Sequence, residues 1–366
     1  MSDTRNVRVR HNKSNSPADS FNYPAHFVLS TGDFQSSEKD HDARLVGRNK
    51  HNTIQIIFLI FTALAYLIHT LRAYIPETLQ SQSEFWSNLA VRPITRVYTT
   101  DLRPNVVIES LVYRLAENWQ TFWLIYILSY ISRRTHFGYL YRNPNIFNSL
   151  LCFLFIGALA LQTISHSAPS SELSCGCLVA SFILLIITCR LVAVKVYRYD
   201  HKYRAADLTI DSIILRYFVL NSLFLYTTSV AYSTICAIVE YIGIYLDPNA
   251  VSSTSISFCT TIGLIVMFFL LLIYFLLDLF VYEQEFRSIW TPYLFTGYVF
   301  ICPPLRETIL FEPETISNNV NYYLFWLVFS SAMLMVLIRL YRQISLKCGK
   351  SKKRIRISSN IEQISS

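Results

Sequence analysis

ISFCTTIGLIVMFFLLLIYFLLDLFV, residues 256–281, decides the fold, because it carries a single charged residue, Asp278. A helix of this length reaches about 39 Å, enough to cross a hydrocarbon core of ~30 Å. Similar stretches lie on both sides. Downstream, residues 320–341 make another clear span. Between the two, residues 286–302 contain Pro292 and end at Pro303 and Pro304, a pattern that fits a kinked span or a re-entrant segment. Upstream, the apolar stretch 213–246 is longer than one perpendicular crossing needs. Its only glycine, Gly243, is close to its end, so it reads as one long tilted helix. Residues 145–165 and 173–195 are joined by a few residues and form an antiparallel hairpin. Residues 117–133 are a shorter span with Trp119 and Trp123, residues suited to a membrane interface. Helical spacing from Val106 leads into it. Residues 53–74 are the first span.

The expected fold is therefore all-α, a polytopic transmembrane helix bundle of about eight spans with N and C termini cytosolic. Residues 1–50 form a polar, disordered cytosolic tail, 51–342 the bundle, and 343–366 a basic, unstructured cytosolic tail. The first apolar stretch lies too far into the chain for a cleaved signal and is expected to act as a signal-anchor. Composition agrees. Of 366 residues, 52% are apolar and 15% charged, against about a quarter charged in soluble domains.

The distribution of Lys and Arg sets the expected orientation. Residues 143–189 and 217–286 contain neither, and each block holds two spans and their connector. Arg133, Arg134 and Arg142 precede the first block, Arg190 to Arg216 separate the two, and Arg287 follows the second. Such blocks are hairpins whose tips face away from the cytosol. An even number of crossings puts the basic connectors and both tails on one side. The connector 75–116, with Arg92, Arg96 and Arg103, is the exception, tolerated because it is long and also holds Asp101 and Glu109. The net charge of +8 is explained by these flanks and by the tail, so no nucleic acid partner is expected; the lipid bilayer is the expected partner.

No H-E-x-x-H, G-x-S-x-G or P-loop pattern is present, so neither enzymatic activity nor a cofactor is expected. Of the eight cysteines, Cys152, Cys189, Cys236, Cys259 and Cys302 lie in apolar stretches and read as small hydrophobes. Cys175 and Cys177 are too closely spaced for a zinc knuckle. Cys348, in the basic juxtamembrane tail, is a candidate palmitoylation site. Arg190, Arg216 and Asp278 sit near cytosolic span ends and are expected to snorkel. Asp211 and Arg216, five apart, are poorly placed to pair. The remaining polar span residues are Asn118 and Gln120 in the second span, Gln162 and His166 at the end of the third, and Asn221, Tyr226 and Ser229 in the long helix. Two roles fit them: hydrogen bonding between helices, or, for Asn118, Gln120, Gln162, Asn221 and Tyr226, lining a polar cavity for a small-molecule ligand.

RYFVLNSLFLYTTSVAYSTICAIVEYIGIYL (216–246) and NWQTFWLIYILSYISRRTHFGYLY (118–141) resemble a family of animal multi-pass membrane proteins. The shared features are Asn, a small residue, then Tyr and Thr along a long helix, and a Trp-rich span followed by a basic turn and Gly-Tyr-Leu-Tyr. This chain departs from the pattern in lacking Trp between Val230 and Ser233. The resemblance implies about eight spans and no activity. Small-molecule binding or transport leads the functions such polar spans would serve. A receptor-like signalling protein and a structural or adaptor protein are the alternatives, and a polar cavity against a filled bundle discriminates among them. Plasma membrane and endoplasmic reticulum both fit.

Overall fold

Asn52 and Asn148 each end a connector and start a helix. The Asn52 side chain accepts a hydrogen bond from the backbone N–H of Gln55 at 3.4 Å, and that of Asn148 from Leu151 at 3.2 Å, which satisfies one of the donors a helix start leaves open. In the computed structural model these caps open α1 (Thr53–Leu71) and α3 (Ser149–Ser167). The structure describes residues 51–72, 102, 106–135, 138–142, 144–168, 170–205, 207–246, 253–309 and 319–365, with the backbone alone at several helix ends, 346–365 among them. The N-terminal tail, the basic and proline-rich part of connector 75–105 and the Cys348 side chain lie outside this description.

The other long helices are α2 (Val106–Ser129), α4 (Ser171–Ala205), α5 (Thr209–Leu246), α6 (Ser253–Leu276, continued by a π-helical turn Leu277–Val281), α7 (Thr291–Ile309) and α8 (Asn319–Ser365). A two-residue antiparallel ladder, Arg134–Thr135 with Gly138–Tyr139, folds the connector after α2. The protein is an all-α bundle. Six of its described helices, all but α2 and α7, are long and apolar enough to cross a membrane.

Three helices differ from the sequence expectation. α4 does not stop at residue 195 but carries the basic segment 196–205 as further helix. The connector to α5 shrinks to a tight reversal in which Asp207 takes φ 56°, a left-handed conformation that Asp tolerates better than most residues. The N–H of Leu208 closes the α4 terminus on the Tyr203 carbonyl at 2.9 Å. α7 does not end at Pro303 and Pro304; both lie inside it. Pro292 sits in its first turn, where the missing N–H is not needed. Pro303 and Pro304 deprive the Val299 and Phe300 carbonyls of their helical donors, yet the helix continues to Ile309. Phe300 is buried against Tyr232 and Phe325, each at 6.0 Å between ring centroids. α8, finally, does not give way to an unstructured tail, since its backbone stays helical to Ser365.

α5 is a single long helix, as the long apolar stretch predicts, and it is the most buried of the candidate spans. Of its apolar window 78% is buried, against 22–44% in the other five candidate spans. It is also the helix with two periodicities, because residues 214–219 form a π-helical turn. α6 approaches α5 closely at Gly263. A Cβ there would collide with the Leu102 side chain and stand 3.2 Å from Val239, so a larger residue would require Leu102 to move.

The helices alternate in direction. At one end, called here the near end, the first turn of α1 meets the α2–α3 connector: the Gln55 amide donates to the Tyr141 and Phe147 carbonyls at 2.9 and 3.0 Å. The same end holds Lys195 of α4, which donates to the Ile146 carbonyl at 3.2 Å, and Arg342 of α8, which donates to Glu283 at 2.9 Å. At the far end the start of α6 meets the start of α8, through Thr261 and Asn321 at 2.6 Å.

Candidate functional site

The polar residues of the spans are gathered by α5. Tyr226 donates to the Gln162 carbonyl oxygen of α3 at 2.7 Å, and the Gln162 amide donates to Ser181 of α4 at 3.0 Å. Ser181 in turn donates to the Ala158 carbonyl at 3.0 Å, so three helices are joined by one chain of bonds. One turn nearer the start of α5, Gln120 of α2 donates to the Ser222 carbonyl at 2.5 Å and accepts from the Trp123 indole.

Asn221 makes the densest node. Its amide donates to the Tyr217 and Ser288 carbonyls at 2.9 and 2.8 Å, and its oxygen accepts from the Trp290 and Thr291 N–H groups at 2.8 and 3.3 Å. The Thr291 hydroxyl donates to the Asn221 carbonyl at 2.8 Å. One asparagine on α5 thus caps α7 from outside, satisfying N–H groups that α7 cannot satisfy itself.

Four of the five residues singled out for a polar cavity, Gln120, Gln162, Asn221 and Tyr226, are buried and spend their polar atoms on protein partners. They form helix-joining nodes rather than a shared lining. Asn118 is exposed on α2 and joins none of them. An apolar cavity lies elsewhere among the described residues. It holds about 30 Å³ between Leu59, Thr62, Trp123, Phe155, Thr188 and Leu223, the volume share of roughly one water. Replacing Gln162 by Leu is expected to lower stability only modestly, by ~0.6–1.7 kcal/mol, read as a small drop in the thermal midpoint of the detergent-solubilised protein; loss of folded protein would show a larger role.

The near end carries charge the sequence did not assign. Asp211 is buried and receives a bidentate contact from Arg133, at 2.6 Å to each carboxylate oxygen, together with the Tyr126 hydroxyl. The neighbouring Tyr130 hydroxyl donates to Tyr126 at 3.0 Å. Arg216 pairs not with Asp211 but with Asp200, at 2.9 Å. Arg190 does not snorkel freely; it meets Glu285 at 2.5 Å and lies 3.7 Å over the Tyr282 ring.

Asp278 corrects the expectation most sharply. It does not reach solvent. It is 6% exposed and paired with Arg339 of α8, which also donates to the Phe286 carbonyl. Tyr293 donates to the same carboxylate at 2.8 Å, and the guanidinium lies over Trp290 at 5.3 Å. The signal was present: Asp278 and Arg339 are the lone opposite charges at matching depth, a few residues from the same end of two antiparallel apolar helices. Among the described residues no group of His, Cys, Asp or Glu could hold a metal ion.

The fold and these nodes define a class, a helical bundle with six helices long and apolar enough to cross a membrane, in which Gln120, Gln162, Asn221 and Tyr226 are bonded to protein partners. Comparison with protein-family models, curated proteins and solved structures found no match.

Proposed function

We propose that the chain is an eight-crossing integral membrane scaffold, both termini cytosolic, acting through its cytosolic face rather than conducting a small molecule. The observation that carries this reading is the engagement of Gln120, Gln162, Asn221 and Tyr226 with one another's helices. A transport or ligand site needs polar atoms that converge on a cavity, and here they converge on protein. The interior cavity beside these residues is apolar and holds about 30 Å³, far below the several hundred Å³ of ligand pockets.

Eight crossings are favoured by length and direction. α2 and α7, at 24 and 19 residues, reach about 36 and 28 Å. The alternating helices bring the first turn of α1 and the basic half of α8 to the near end, where Arg133, Arg190 and Arg287 also lie. By the positive-inside tendency that end is cytosolic. α4 and α8 continue beyond a bilayer's thickness on this side, offering rigid helical surface to partners.

One labelling experiment tests both statements. Sealed microsomes holding the full chain are treated with a membrane-impermeant, water-soluble maleimide. A cysteine added before Met1 and one added after Ser366 are expected to react from the cytosolic side. Cys189, Cys236 and Cys259, all at most 2% exposed, are expected to stay unreacted until the protein is unfolded. Termini on opposite sides overturn the eight-crossing count. Interior cysteines that react in the folded protein reveal a water-filled path and overturn the scaffold reading in favour of a conduit.

A further inference from the structure

The near-end ion pairs leave a crevice between the end of α6, the connector to α7 and α8. Phe275 and Leu279 give it apolar lining, and Arg287, Arg342 and Gln343 polar lining. Asp278 and Glu283 also line it, but Arg339 and Arg342 engage them. Arg287 is half-buried. Its carbonyl is fixed by the Gln343 amide at 2.7 Å, which holds the residue at the crevice, and its guanidinium has no hydrogen-bond or ion-pair partner among the described residues. The free volume is about 30 Å³, so an anion would seat its edge at the mouth rather than be enclosed.

The helix above continues the same charge. α8 runs on unbroken to Ser365, and between Arg339 and Glu362 the sequence contains no Asp or Glu. At about 100° per residue, Arg342, Lys347, Lys350, Lys353 and Arg354 fall on the same face as Arg339, within an arc of roughly 140°. A basic stripe thus begins at the crevice, where α8 leaves its apolar segment.

We propose that this crevice and the basic face of α8 bind the phosphorylated headgroup of an anionic membrane lipid, a polyphosphorylated inositol lipid fitting best. A guanidinium fork matches a phosphate's paired oxygens, and several Lys and Arg just beyond a span are the usual setting for such headgroups. Phe275 and Leu279 supply apolar lining for the glycerol and first acyl carbons. A soluble inositol phosphate shares the headgroup chemistry but gains nothing from that lining. The site's cytosolic placement rests on the orientation proposed above; its chemistry does not.

The test uses purified full-length protein in detergent, where sidedness plays no part. A fluorescent phosphatidylinositol bisphosphate is titrated and anisotropy read, with phosphatidylcholine of the same label as comparison. At about 1 kcal/mol per basic residue near the headgroups, Arg287→Gln is expected to weaken binding about fivefold. Combined Lys347→Gln, Lys350→Gln and Lys353→Gln are expected to weaken it at least tenfold, while Lys202→Gln, at the near end but on α4, leaves it within twofold. Soluble inositol trisphosphate is expected to compete only weakly. Equal binding of the two lipids, or unchanged binding in both variants, overturns the site. Soluble headgroup binding as tight as the lipid overturns the lipid assignment. If lipid binding holds while the maleimide assay places Ser366 outside, the site stands and the proposed orientation falls.

Discussion

Arg339→Met is expected to destabilise the protein by about 3–5 kcal/mol, because it leaves Asp278 as a buried charge without its partner. Asp278→Ala should cost a similar amount by stranding the guanidinium. The pair is nearly sealed, with both side chains 8% exposed. Neither charge can be rehydrated without opening the α6–α8 contact, where Leu271, Tyr293, Ala332, Met335 and Val336 pack as a separate small core. The double variant Asp278→Leu with Arg339→Met separates the charge cost from the hydrogen bonds. Apolar replacement of a buried ion pair is often neutral, but here Tyr293 would lose its acceptor, while the Phe286 carbonyl keeps the Ile289 N–H at 2.8 Å. The orphaned hydroxyl costs about 1–3 kcal/mol, so the double variant should recover only part of the loss. Thermal midpoints of the detergent-purified variants, or their resistance to denaturing detergent, read the order: wild type, then double, then either single. A single variant costing less than about 1 kcal/mol would falsify the pairing.

Asn221→Leu should be comparably severe, for a different reason. No charge is involved. The change removes four side-chain hydrogen bonds at once and leaves the Ser288 carbonyl and the Trp290 and Thr291 N–H groups of a buried connector without partners. At about 1–3 kcal/mol for each stranded group, partly relieved by movement, the loss should be about 3–4 kcal/mol. The damage should concentrate at the start of α7. Asn221→Asp is the informative companion. It keeps an acceptor for the Trp290 and Thr291 N–H groups but turns a donor into an acceptor facing the Ser288 and Tyr217 carbonyls. Hydrogen exchange read by mass spectrometry should show residues 287–296 losing protection in Asn221→Leu, with α1 and α3 unaffected. Uniform loss across the bundle would mean that Asn221 supports global stability rather than capping α7.

These two residues show how unevenly the structure could be read in the chain. Asp278 drew notice because a carboxylate in an apolar run is conspicuous, and proximity to the span end made snorkelling the natural account. The partner lies 61 residues away in sequence, and only antiparallel packing of α6 on α8 brings the two together. Asn221 was visible as a polar residue in a long helix. Its role was not, because its partners are backbone groups of a connector, and backbone N–H and C=O are the same at every position. Arg133 reads in the sequence as a flank charge and Asp211 as poorly placed to pair with Arg216, yet the two meet in a bidentate ion pair at 2.6 Å.

The sequence by itself determined the class. Runs of about 20 apolar residues bury their own backbone hydrogen bonds as helices, and Lys and Arg gather at one set of ends because charge does not cross lipid easily. It also indicated one helix over residues 213–246, where the only glycine, Gly243, is near the end, and the helix in the structure runs Thr209–Leu246. Only the tertiary structure decided what the polar residues of those helices do. A glutamine or asparagine in a span carries the same chemistry whether it faces a cavity or a neighbouring helix. The difference lies in which helix stands opposite and at what depth, and in this bundle α5 places a partner opposite Gln120, Gln162 and Asn221. The same physics set the helix ends. Local propensity does not encode the reversal at Asp207 or the continuation of α7 through Pro303 and Pro304.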